Sequence, residues 1–68
     1  MIKTITAYLL EWNIDSKKGK IILRFKDQES EEMMEDLDFQ TFTAVASVLE
    51  KGKTKLDTKE NSIYNVIS

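Results

Sequence analysis

The fold is decided by the stretch from Tyr8 to Phe25, which reads YLLEWNIDSKKGKIILRF. Two apolar segments flank a lysine-rich break that contains a glycine. Side chains on a strand alternate between the two faces of a sheet, so this pattern predicts a β-hairpin with one row of side chains in the core. The predicted row comprises Tyr8, Leu10, Trp12 and Ile14 from the first strand and Ile21, Leu23 and Phe25 from the second.

The break from Asp15 to Lys20 is longer than a two-residue hairpin turn. We expect Gly19 to adopt a left-handed conformation within this wider loop, because glycine has no Cβ to oppose it. The only tryptophan of the chain, Trp12, is predicted to pack against a helix near Phe39 or Phe42.

The hairpin carries a second set of apolar side chains on its other face, at Ile5, Ala7, Leu9 and Ile22. Each apolar face has to be buried against another element, and a chain of 68 residues has few residues with which to cover both faces. One covering is the helix. The other is a partner subunit, a folded-back C-terminus, or a β-bulge that switches the strand register. We favour a homodimer through this second face.

The segment from Gln28 to Asp38 is acidic and surrounds Met33, Met34 and Leu37. A loop with a short third strand near 33–37 and a helix that starts as early as Ser30 both fit this pattern. The segment lacks the glycine that an EF-hand calcium loop needs at its sixth position, and we predict no metal site and no cofactor.

A helix is predicted from Phe39 to about 51, because Phe39, Phe42, Ala46 and Leu49 recur at three- and four-residue steps. Asp38 occupies the position of an N-cap, whose side chain accepts a free amide proton of the first turn. Lys51 and Gly52 are predicted to end the helix, with the glycine in the left-handed conformation.

The tail contains Leu56, a polar break from Asp57 to Ser62, and the apolar segment 63–67. It forms either one strand or a second small hairpin that turns around Lys59-Glu60-Asn61. The predicted fold class is therefore α+β: one small domain, 1–68, with an antiparallel sheet packed against one helix.

Composition limits the functions that are open to this chain. It contains no histidine and no cysteine, which removes the commonest general base and the thiol nucleophile. We therefore predict a protein that is not an enzyme. No apolar stretch approaches the roughly 20 residues of a membrane-spanning helix, and a cytoplasmic location is expected.

The charge is distributed unevenly along the chain. Residues 1–27 carry six basic and three acidic side chains, residues 28–50 carry seven acidic and no basic ones, and residues 51–68 carry four basic and two acidic ones. Five cations lie on the predicted hairpin: Lys17, Lys18, Lys20, Arg24 and Lys26. A basic sheet face with aromatic residues is typical of modules that bind single-stranded nucleic acid.

Two functions follow as expectations. The first is a small homodimeric protein-interaction module that uses Ile5, Ala7, Leu9 and Ile22. The sequence does not indicate a further protein partner. The alternative is a weak binder of single-stranded nucleic acid that uses the five cations of the hairpin. The sequence pI near 5.0 disfavours the second function, because nucleic-acid-binding domains are usually strongly basic.

Overall fold

A computed structural model describes residues 1–66 and shows a five-stranded antiparallel sheet packed against one helix, which confirms the predicted α+β class. The elements follow one another as β1 (Ile2–Asn13), β2 (Lys18–Phe25), β3 (Glu31–Leu37), α1 (Phe39–Glu50), β4 (Thr54–Asp57) and β5 (Ser62–Asn65). The acidic segment is thus a strand, and the tail forms the second hairpin over β4 and β5. Residue 67 of the predicted apolar segment 63–67 lies outside the described residues.

The sheet has the strand order β3-β2-β1-β4-β5, with β1 in the centre. The first three strands follow one another as hairpins, and β4 returns after the helix to pair with β1, which is a Greek-key arrangement. β1 is shared between two partners along its length. Residues 2–5 pair with β4, whereas residues 5–13 pair with β2.

A β-bulge divides these two halves of β1. Ile5 pairs with Phe25 and Ala7 pairs with Arg24, so Thr6 is one extra residue opposite β2. An extra residue reverses the alternation of side chains along the strand. Ile5 therefore points to the core, where it packs against the buried cluster. Its predicted place on the second face, beside Ala7 and Leu9, is wrong.

The core lies between α1 and one face of β2. Ile21 and Leu23 are completely buried, with 0% and 1% of their surface exposed, and Phe25, Ala46 and Leu49 are also buried. This confirms the β2 row of the sequence prediction and two positions of the helical stripe. The predicted burial of Phe39 on that stripe is wrong, because Phe39, at the start of the helix, is 64% exposed.

The β1 row is buried only in part. Leu10 and Trp12 are half-buried, but Tyr8 is 41% and Ile14 81% exposed, so the predicted core placement of these two residues is wrong. Pairing with β4 ends at Ile5, which leaves Tyr8 on a stretch of β1 with a neighbouring strand on one side. Ile14 lies beyond the end of β1, in the turn.

The turn between β1 and β2 is built around Asn13. Its side-chain oxygen accepts hydrogen bonds from the amides of Asp15 and Ser16, each at 3.0 Å. Lys17 adopts the left-handed conformation, with φ of 59°. The prediction that Gly19 takes this role is wrong, since Gly19 is a buried residue of β2.

Gly19 lies directly beneath the aromatic ring of Phe42. A Cβ atom at this position would overlap that ring, so the glycine is required by the close approach of helix and strand. The same region holds Trp12, whose ring centroid lies 5.6 Å from that of Phe39 and 5.5 Å from that of Phe42. The predicted packing of Trp12 against the helix is confirmed.

Both predicted ends of the helix are confirmed. The Asp38 carboxylate accepts a hydrogen bond from the Thr41 amide at 2.7 Å. At the other end, Gly52 follows the C-cap Lys51 in a left-handed conformation with φ of 89°. The Asn65 side-chain amide then donates to the carbonyl oxygen of Val48 at 2.7 Å, which ties β5 to the helix.

We predict that Gly19→Ala destabilises the domain, because the added methyl group meets the Phe42 ring. Overpacking of this kind costs about 1–3 kcal/mol, which exceeds the gain of about 0.4–1 kcal/mol from a less flexible unfolded chain. Urea unfolding of the single variants Gly19→Ala and Phe42→Leu and of the double variant measures this cost. The smaller leucine should relieve part of it.

Gly52→Ala is the matched control for this cycle. Its left-handed backbone makes alanine unfavourable by roughly 1–2 kcal/mol, but a Cβ there has no atom within 4 Å. Its cost should therefore be unchanged by Phe42→Leu. Additive effects of Gly19→Ala and Phe42→Leu would show that the ring does not exclude the methyl group.

The pKa of Asp38 yields a prediction about pH. The backbone hydrogen bond from Thr41 lowers this pKa below its ordinary value, with a smaller contribution from the charge of Lys18. At pH values above its unfolded-state pKa, the ionised Asp38 therefore stabilises the folded protein. This contribution is lost as the pH falls through the lowered folded-state pKa. Asp38→Asn retains a hydrogen-bond acceptor but does not titrate.

The stability advantage of the wild-type protein over Asp38→Asn should accordingly shrink as the pH is lowered below about 4. The measurement is the free energy of unfolding of both proteins across the acidic range. A difference that stays constant with pH would mean that the carboxylate charge does not contribute to the cap.

Candidate interaction surface

The sheet has one face that α1 does not cover, and we call it the outer face. This face carries Ala7, Leu9, Ile22 and Met33. The alternate residues of β2, Ile21 and Leu23, point to the other side of the sheet and lie in the core. α1 is the only helix in residues 1–66, and it packs on the core side. No helix in residues 1–66 therefore covers the outer face of β1, β2 and β3.

Three apolar side chains form a row across this face, and we call them the outer apolar row. Leu9 pairs with Ile22, and Ile22 pairs with Met33, so the row crosses three adjacent strands. Leu9 and Met33 are each 50% exposed, and Ile22 is half-buried between them. Large apolar side chains scattered singly on a surface are ordinary, but a contiguous row marks a candidate interaction site.

A depression lies next to the row, where Ala7 contributes only a methyl group to the surface. Its volume is about 320 Å³, and it is lined by Ala7, Tyr8, Leu9, Ile22, Arg24 and Glu31. The outer face therefore presents protruding apolar side chains and an adjacent hollow that can receive one.

Two ion pairs flank the outer apolar row, one on each side. The Arg24 Nε atom lies 3.0 Å from Glu31 Oε2, and the Lys20 Nζ atom lies 3.6 Å from Glu11 Oε2. Both pairs are exposed for a large part of their surface, so each contributes only about 0–1 kcal/mol to stability. Their effect is to surround the apolar row with charges of both signs.

The structure brings together three of the four residues predicted for the dimer face, namely Ala7, Leu9 and Ile22. Ile5 lies on the core side because of the bulge at Thr6. Met33 completes the outer apolar row and was not predicted to do so. Its position in a strand was one of two alternatives for the acidic segment, and only the pairing with Ile22 places it beside the hairpin.

The five cations predicted for nucleic-acid contact have different surroundings in the structure. Arg24 and Lys20 are each paired with a carboxylate. Lys17 lies in the turn, Lys18 lies near Asp38, and Lys26 follows the opposite end of β2. The aromatic side chain nearest to the turn, Trp12, is packed against Phe39 and Phe42.

The described part of the chain, residues 1–66, has no group of three or more acidic, histidine or cysteine side chains placed to hold a metal ion. It also has no helix of the length and apolar character that a membrane crossing requires.

Comparison of the chain with protein-family models, with curated proteins and with solved structures gives no match. The geometry of the outer face is therefore the basis for a functional proposal.

Proposed function

We propose that this protein is a homodimeric protein-interaction module and that two copies associate through their outer faces. The observation that carries the proposal is the outer apolar row of Leu9, Ile22 and Met33 beside the hollow at Ala7. Burial of exposed apolar surface is the main driving force of association.

The outer face has the features of a surface that can bind a copy of itself. In a two-fold dimer the same patch is used by both subunits, so it must supply both halves of every contact. Leu9 and Met33 protrude while Ala7 leaves a hollow, and this combination allows a side chain of each subunit to enter the other. The flanking ion pairs likewise offer a positive and a negative group to each partner.

The size of the face sets the expected strength of association. Three strands at about 4.8 Å spacing, along the seven residues of β3, give a footprint of roughly 340 Å² per subunit. Stable interfaces usually bury about 800 Å² per partner. We therefore expect a weak dimer whose population depends on protein concentration.

We predict that Leu9→Glu prevents this association, because a carboxylate would be buried without a partner in the dimer. Sedimentation over a range from about 10 µM to about 1 mM should show the mass of the wild-type protein rising toward two chains. Leu9→Glu should keep the mass of one chain. Since Leu9 is half-exposed in the monomer, the substitution is compatible with folding, which circular dichroism verifies.

Ile14→Glu is the matched control, because it makes the same change at an apolar residue that is 81% exposed and lies in the turn, away from the outer face. It should dimerise as the wild type does. A wild-type mass of one chain at the highest concentration would refute the dimer, and a Leu9→Glu variant that still associates would place the interface elsewhere.

The alternative function, weak binding of single-stranded nucleic acid, is favoured by one observation. The Greek-key order of the strands is shared with the partly open five-stranded barrels that bind oligonucleotides on the face of their second and third strands. Fold alone does not fix function. In this chain that face carries the Arg24–Glu31 pair and apolar residues, which do not offer a stacking platform for bases.

We therefore predict that a fluorescently labelled single-stranded oligonucleotide shows no change in anisotropy with the protein at low salt, where phosphate contacts are strongest. The control protein carries Glu31→Gln, which releases Arg24 from its carboxylate and should increase any affinity. Binding by the wild type that weakens with salt and is lost in a Lys17→Gln, Lys18→Gln variant would establish the alternative function.

A further inference from the structure

A second apolar concavity lies on the opposite side of the sheet from the outer face, and we call it the groove. It lies between β3, α1 and the β4–β5 hairpin, and its volume is about 450 Å³. Small-molecule sites typically occupy about 300–1,000 Å³. Six apolar side chains line the groove: Leu23, Met34, Leu37, Val45, Leu56 and Ile63.

The groove is an incomplete part of the core. Its floor is the buried Leu23, and its walls include Met34 from β3 and Ile63 from β5, the two edge strands of the sheet. The sheet therefore curls so that its two edges face one common space beside the helix. In residues 1–66 no strand bridges these edges, and Met34, Val45 and Ile63 remain only half-buried.

The rim of the groove has a distinct chemistry. The polar residues that line it are Glu35, Thr41 and Asn61, and all three are exposed. Glu35 is the only charged residue in the lining. Both ion pairs that residues 1–66 form involve other carboxylates, so Glu35 is available to a cation from outside.

We propose that the groove binds a small amphipathic cation, with its apolar body against Met34, Val45 and Ile63 and its charged group at the Glu35 carboxylate. Apolar burial supplies the affinity, and the single negative charge at the rim selects the sign of the ligand. An anionic ligand of the same shape would meet Glu35 without a compensating cation. The proposal does not depend on dimerisation, because the groove and the outer face lie on opposite sides of the sheet.

The test uses three probes with the same six-carbon alkyl chain and different head groups: n-hexylammonium, n-hexanol and n-heptanoate. Ligands of this size bind in the millimolar range at roughly 0.3–1 kcal/mol per non-hydrogen atom. Amide chemical shifts in nuclear magnetic resonance titrations report both affinity and location. We expect n-hexylammonium to bind most tightly and n-heptanoate least, with the largest shifts at Glu35, Val45 and Ile63.

Two variants separate the contribution of charge from that of the apolar lining. Glu35→Gln should remove the advantage of the ammonium over the alcohol, which we expect to be roughly threefold to fivefold for an exposed ion pair. Thr41→Trp places a large ring at the rim and should weaken all three probes. Its matched control is Ser47→Trp, at an exposed position of α1 outside the groove lining.

The proposal is overturned if n-heptanoate binds as tightly as n-hexylammonium, if the preference survives in Glu35→Gln, or if no amide of the groove shifts. Shifts confined to Leu9, Ile22 and Met33 would also overturn it, because they would assign probe binding to the outer face. A monomeric wild-type protein would refute the proposed dimer and leave the result at the groove unaffected.

Discussion

The β-bulge at Thr6 allows a single strand to serve two hairpins. On the N-terminal side of the bulge β1 pairs with β4, and on its C-terminal side β1 pairs with β2. The extra residue also exchanges the two faces of the strand, so that Ile5 joins the core while Ala7 and Leu9 point outward. The bulge therefore decides which residues of β1 lie in the core and which lie on the outer face.

The close contact between Gly19 and Phe42 determines where the helix lies on the sheet. Because Gly19 has no side chain, the Phe42 ring can approach the β2 backbone and pack beside Trp12. The helix then covers Ile21, Leu23 and Phe25, but one helix of twelve residues does not cover both faces of five strands. The outer face and the groove are two apolar surfaces that this arrangement leaves accessible in residues 1–66.

The uneven charge of the chain is partly balanced within the fold. β3 brings Glu31 beside Arg24, which links the acidic segment to the basic hairpin. Such exposed pairs add little stability, but they place both signs of charge around the outer apolar row. Glu35, at the bulged end of β3, remains at the rim of the groove. One acidic strand therefore contributes to two candidate sites of different character.

Local patterns in the sequence determined much of this protein. The alternation in β2, the helical repeat of Phe42, Ala46 and Leu49, the Asp38 cap and the Gly52 terminus were all predictable, because each depends on residues a few positions apart. Three of the four residues of the predicted interaction face, Ala7, Leu9 and Ile22, were also found together.

The tertiary structure decided the remainder. The strand at 31–37 fits helical and strand patterns alike, and only its pairing with β2 selects the strand and brings Met33 beside Ile22. The role of Gly19 depends on Phe42, which is 23 positions later in the chain. The bulge that turned Ile5 inward depends on how β1 divides its pairing between two distant strands. The groove likewise exists only where β3, α1 and β5 meet. These features arise from contacts between residues far apart in the chain, and the periodicity of a single segment contains no information about them.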